Sequence, residues 1–155
     1  MIVNITGPHG GKPYNNQIAD KIRGGVVVMA VKLGLGHLPI TYNIKLGRQL
    51  NRTSDGARGY TGVSKKYNKY YAEIFLMRED KISAIISTLA HEMIHVKHFI
   101  KDGLDLEKAK FKGKKWAAKA GQDDYRNSPW EEDAHKNEEI LANHYLRYCR
   151  ANRIK

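Results

Sequence analysis

At 155 residues, 41% of them hydrophobic and 28% charged, the chain is long and apolar enough to bury a core, which excludes a disordered or low-complexity protein. Its 27 Lys and Arg against 16 Asp and Glu give a formal net charge of +11, which favours contact with nucleic acid or another polyanion. The most apolar stretch, residues 26–35, is broken by Lys32 and falls far short of the roughly 20 residues that span a bilayer, so no membrane association is expected.

Ile2, Val3 and Ile5 suggest a short first strand. The turn from Gly7 to Pro13 has the glycines of a phosphate loop but is one residue short, and Pro13 stands where a Mg²⁺-binding hydroxyl is required. From about Asn15 to Leu33, Ile18, Ile22, Val26, Met29 and Leu33 keep helical spacing, and Gly34 suits the stop. Gly24 and Gly25 each cost that helix about 1 kcal/mol against Ala, so the pair predicts a kink or a close packing contact. Ile40, Tyr42, Ile44 and Leu46 alternate with polar residues as a half-buried strand. Residues 48–58 read as a loop, Gly59 to Lys66 as a weaker strand suited to a sheet edge, Asn68 as a turn, and Tyr70 to Met77 as a strong strand. Lys81 to Ile100 reads as a helix with Asp80 as its N-cap, closed by Lys101-Asp102-Gly103.

Leu104 to Ala120 has some helical character and holds the densest charge: Lys108, Lys110, Lys112, Lys114, Lys115 and Lys119, with Phe111 and Trp116 between them. The expectation for Lys108 to Lys119 is a solvated basic surface, a weak, sequence-independent nucleic-acid contact or an acidic protein partner, and no nucleic-acid-binding motif accompanies it. Residues 121–127 read as a loop, and a last helix runs from Pro129 to about Arg150. This order predicts a single α+β domain over residues 1–155, with a small, mainly antiparallel sheet packed against the helix of residues 81–100. Cys149 has no partner for an internal disulfide, and no secretory signal opens the chain, which points to a reducing, cytoplasmic setting.

The helix over residues 81–100 carries the chemistry. Ile82, Ile85, Ile86, Leu89, Met93, Val96 and Ile100 form a stripe about 100° wide; His91, His95 and His98 gather in an arc of about 60° on nearly the opposite side. His91-Glu92-Met93-Ile94-His95 is an HExxH motif. Histidines four apart lie one turn from each other, so both can reach one Zn²⁺. Glu92, turned about 100° from His91, falls outside the arc and is placed to act on a metal-activated water rather than to bind the ion.

Catalytic zinc sites usually take three protein ligands. His98 lies two turns from His91, which strains convergence on one ion. In the last helix Ala134, Leu141, Ala142, Tyr145 and Cys149 form the apolar face, and Glu131 and Glu138 project from within it, while Glu132 and Asp133 point elsewhere. Carboxylates seldom enter a core unless they are paired or metal-bound, which makes Glu131 the leading third ligand. Two other readings stay open: Ser128-Pro129-Trp130-Glu131 has the form of a capping box, and His135 is the alternative ligand, ahead of Glu132 or Glu138. Glu138 fits better as a partner that orients a ligand histidine.

Thr88 to His95 (TLAHEMIH) followed by Pro129 to His135 (PWEEDAH) resembles the gluzincin branch of zinc metallopeptidases, and more narrowly the short SprT-like, minimal-gluzincin proteins of bacteria and phages. The resemblance covers about Tyr60 to Tyr145. It implies a zincin-like fold, one catalytic Zn²⁺ on His91, His95 and Glu131, and a protein or peptide substrate lying extended beside Gly59 to Lys66. A phage-encoded member would work in the host cytoplasm. Glu131 to Ala134 meets the family's ExxA pattern, but His135 follows where Asp or Asn is usual, and one Cys excludes the zinc ribbon of Spartan-like members. The implied mechanism has Glu92 as general base, taking a proton from water and passing it to the leaving amine. Tyr125, Arg126, His98 and His144 are candidate donors to the oxyanion. The competing expectation is a basic nucleic-acid-associated binding module with a structural or vestigial zinc site; a zinc hydrolase acting on a non-peptide amide is a third.

Overall fold

The computed structural model describes residues 1–7, 16–48, 58–117 and 128–154. Its strands are β1 (Ile2–Thr6), β2 (Ile40–Gly47), β3 (Gly59–Lys66) and β4 (Lys69–Met77), with a small hairpin of β5 (Lys110–Phe111) and β6 (Lys114–Lys115). The helices are α1 (Asn16–Lys32), α2 (Ile82–Lys101) and α3 (Pro129–Ala151). The chain is thus α+β; the described residues form three helices and a four-stranded sheet in the order β1-β2-β4-β3.

The sheet is mixed rather than mainly antiparallel. β1 pairs with β2, and β2 with β4, in parallel; only β3 and β4 run antiparallel. The reason lies in the connections. Parallel neighbours need a crossover of a dozen or more residues, and residues 7–39, which include α1, supply one between β1 and β2. β3 takes the far edge, and β4 inserts between β2 and β3. β3 and β4 close through Tyr67 (φ 50°) and Asn68 (φ 62°), whose paired left-handed conformations match a two-residue hairpin turn.

α2 begins one residue later than its pattern predicts, with Lys81 at the N-cap position and no side-chain cap bond, so Asp80 does not cap it. Gly103 (φ 66°) ends it, and the Leu104 N–H returns to the His98 carbonyl at 3.0 Å. Within residues 104–117 the expected helical character is replaced by the β5–β6 hairpin, while residues 118–120 lie outside the described residues. Lys112 (φ 52°) and Gly113 (φ 77°) form its two-residue turn, a conformation no helix accommodates. Phe111 and Trp116 turn inward from the lysines and, with Leu104, Phe99 and Trp130, build a small second cluster.

The main core joins α1, the inner strands β2 and β4, α2, and Ala134 with the C-terminal half of α3. Gly24 and Gly25 mark close packing: a Cβ on Gly24 would lie 2.8 Å from the Tyr145 hydroxyl, and one on Gly25 3.0 Å from Leu89 Cδ2. The Tyr145 hydroxyl donates to the Lys21 carbonyl at 2.6 Å and so clamps α3 to α1. α2 is consequently buried almost all round, its imidazole side covered by the N-terminal half of α3. Among the described residues no helix is long and apolar enough to cross a membrane.

Candidate metal centre

α2 sets His91 and His95 one turn apart, with ring centroids 4.7 Å from each other. Ser128 opens α3 as N-cap, accepting the Glu131 N–H at 3.3 Å, with Pro129 in the first turn. The Glu131 carboxylate is directed at α2: Oε1 lies 3.0 Å from His91 Nε2, and Oε2 lies 2.7 Å from His95 Nε2. The two Nε2 atoms are 3.1 Å apart. His91, His95 and Glu131 therefore form a group able to hold a metal ion. One feature of the donor set favours that use over a plain hydrogen-bond network. Glu131 Oε2 is buried and lacks a hydrogen-bond partner despite its short approach to His95 Nε2. Two electron-rich atoms so placed call for a cation between them.

Burial alone would lower the His91 pKa, but the Glu131 hydrogen bond, the Glu92 and Glu131 charges and the Glu138 hydrogen bond outweigh it and raise it to about 9. Burial would likewise raise Glu131, but its contacts with His91 and His95 hold it down to about 2.

Glu92 stands beside this group without joining it. Its side chain is buried, and Thr61 of the edge strand β3 donates to Oε1 at 2.8 Å. Gly59, two residues back on β3, leaves space for it, because a Cβ there would come within 2.9 Å of Glu92 Cγ. Burial is the largest influence on Glu92 and pushes its pKa up, making the carboxylate a stronger base.

Outside the three donors, Glu138 Oε2 accepts from His91 Nδ1 at 2.6 Å. His135 is 61% exposed, its Nε2 4.0 Å from Glu131 Oε1 and its Nδ1 3.7 Å from Glu138 Oε1. His91, His135 and Glu138 make a second, more open group within reach of one ion. Glu132 is exposed and lines a groove with Lys112, Lys115 and Trp116 rather than facing the histidines.

Two side chains depart from the sequence reading. His98 is fully buried, with Nε2 2.7 Å from Asp133 Oδ2 and Nδ1 3.2 Å from His95 Nδ1. It faces another buried ring, Phe111, at 4.9 Å, so it is not an oxyanion donor. Asp133, expected to point away, is its partner and also takes a hydrogen bond from Asn137 at 3.0 Å. The available signal was the i+7 repeat of histidine along α2, which places His98 over the same arc as His91. His144 sits about 20 Å along α3 from Glu131 and does not join the site. Tyr125 and Arg126 lie outside the described residues, as do Lys119 and residues 8–13 of the glycine-rich turn. No protein-family model, curated protein or solved structure matches the chain.

Proposed function

We propose that the chain is a zinc-dependent peptidase of the gluzincin kind, built on a zincin-like, minimal-gluzincin domain. The observation that carries this reading is the convergence of His91, His95 and Glu131 next to a buried carboxylate, Glu92, that makes no contact of a ligand. Two imidazoles and one carboxylate are a donor set found in zinc hydrolases. Zinc held there supplies Lewis acidity, polarising a carbonyl and making water acidic enough to ionise near neutral pH.

The remaining work belongs to the chain. Thr61 fixes one oxygen of Glu92, and the other takes the proton from water and returns it to the leaving amine. Glu138 holds the His91 ring by its far nitrogen. β3 is the sheet edge nearest Glu92, and an extended peptide adding to it would run past the site.

Purified protein with zinc is expected to cleave a denatured protein substrate. Glu92→Gln should lower the rate by about 10²–10⁴-fold while zinc content stays at one ion per chain. Robust hydrolysis by Glu92→Gln, or native protein that binds no zinc, would overturn the reading. A second reading, a basic nucleic-acid-associated module, draws on the exposed Lys108, Lys110, Lys112, Lys114 and Lys115 around the hairpin. It requires nucleic-acid binding at low salt that weakens steeply as salt rises and survives His91→Ala.

A further inference from the structure

His91 and His95 are equivalent in the motif but not in their surroundings. The far nitrogen of His91 meets a carboxylate directly, Glu138 Oε2 at 2.6 Å. The far nitrogen of His95 meets a third imidazole, His98 Nδ1 at 3.2 Å, and only beyond that ring does a carboxylate appear, Asp133 Oδ2 at 2.7 Å from His98 Nε2. Asp133 is itself held, its Oδ1 accepting from Asn137 at 3.0 Å and its backbone carbonyl from the same amide at 2.8 Å. The line His95–His98–Asp133–Asn137 thus crosses from α2 to α3, and Phe111 packs on the ring in its middle at 4.9 Å.

Proton positions along this line follow from donor and acceptor rules. A carboxylate only accepts, so His98 Nε2 carries the hydrogen in the bond to Asp133. A neutral His98 then has a bare Nδ1, which accepts, and the hydrogen between the two Nδ1 atoms belongs to His95. A neutral His95 protonated at Nδ1 has its lone pair on Nε2, the atom 3.1 Å from His91 Nε2. Glu131 Oε2 is 2.7 Å from that nitrogen but takes no hydrogen bond, so, unlike Asp133 at His98, it does not hold a hydrogen there.

We propose that His98, anchored by Asp133, is a positioning residue that fixes His95 in its Nδ1–H form and so presents the Nε2 lone pair to the metal site. The benefit for binding rests on the metal reading above, whereas the tautomer itself does not. Full burial leaves water no access to His98 to offer an alternative partner. No titration is invoked; the relay works by which nitrogen holds a hydrogen, not by a change of charge.

Two measurements test this separately. Long-range ¹H–¹⁵N correlation spectra of the zinc-free protein, at a pH where His95 is neutral, should show its hydrogen on Nδ1 and that of His98 on Nε2. Zinc affinity, read by chelator competition, should fall by about 10–100-fold in His98→Phe and recover in large part in His98→Gln, whose amide oxygen can again accept from His95. Asp133→Asn guards against a misfolded His98→Phe, because Asp133 is partly exposed, and it should weaken zinc and raise the Nε2–H fraction of His95. Neutral His95 protonated mainly at Nε2 would overturn the proposal, and so would folded His98→Phe and Asp133→Asn with wild-type affinity. Wild-type protein that binds no zinc while His95 shows the Nδ1–H form would sink the metal reading and uphold the relay.

Discussion

The two halves of α3 attach to the molecule by different physics. The C-terminal half presents Leu141, Ala142, Tyr145 and Cys149 to the main core, with the Tyr145 ring against the Gly24–Gly25 backbone. The N-terminal half adds Ala134 to that core and Trp130 to the second cluster. It also presents Glu131, Asp133 and Glu138 to His91, His95 and His98, so carboxylates meet imidazoles where another helix pair would place leucines. Apolar contact stabilises whatever else is bound. Buried polar contact holds only while each partner is present, and it leaves a receptacle for a cation. One helix therefore serves as an anchor at one end and as half of a candidate metal site at the other.

The anchor half should show the largest effect. Tyr145→Ala removes a buried ring and its hydrogen bond to Lys21, and should cost about 3–5 kcal/mol in urea unfolding, by a similar amount with and without zinc. A loss that appears only without zinc would mean that the two halves are not independent. The site half should respond to metal instead. Free zinc at about 1,000 times its Kd should add about 4 kcal/mol, and Glu131→Gln should remove most of that increment. In the zinc-free site His91 keeps a proton up to about pH 9, so binding at pH 7 should release one proton to buffer, and apparent affinity should climb as pH rises toward 9. Calorimetry in buffers of different ionisation heat reads this directly, and zero proton release would contradict the charge balance drawn for the site. The smallest effect belongs to Glu138→Ala, which leaves all three donors in place and should weaken zinc by about 10–100-fold, with the unfolding midpoint of the zinc-free protein moved far less than by Tyr145→Ala.

Legibility in the sequence followed the range of the interaction. His91, His95 and Glu92 are a local pattern on one helix, and a carboxylate inside an apolar face marks Glu131 and Glu138 because its exposure would otherwise be expected. Asp133 gave no such signal: a helical wheel assigns each residue one direction, whereas α3 at its N-terminus contacts both α2 and the residues around Phe111. The strands themselves are visible as alternation, but strand order is a non-local choice, and nothing within Tyr70 to Met77 says that it inserts beside β2 rather than after β3. The hairpin at Lys110 to Lys115 was hidden by its composition, since lysine is a good helix former and only Gly113 marked the turn.

The place of β4 in the sheet has a kinetic corollary. The β3–β4 hairpin closes over two residues, a step of about 1–10 μs, whereas pairing β4 to β2 must close the much longer intervening chain. Gly59 and Thr61 travel with that hairpin, so the pocket around Glu92 is assembled when the hairpin docks. Pulse-labelled hydrogen exchange should protect β3–β4 amides before those joining β2 to β4, and simultaneous protection would contradict this order. A nascent chain would then hold the histidines of α2 in helical spacing while Glu92 beside them still lacked its Thr61 contact. The Glu92 carboxylate would reach its final setting only with the completed sheet, so the candidate site would be the last part of the fold to form.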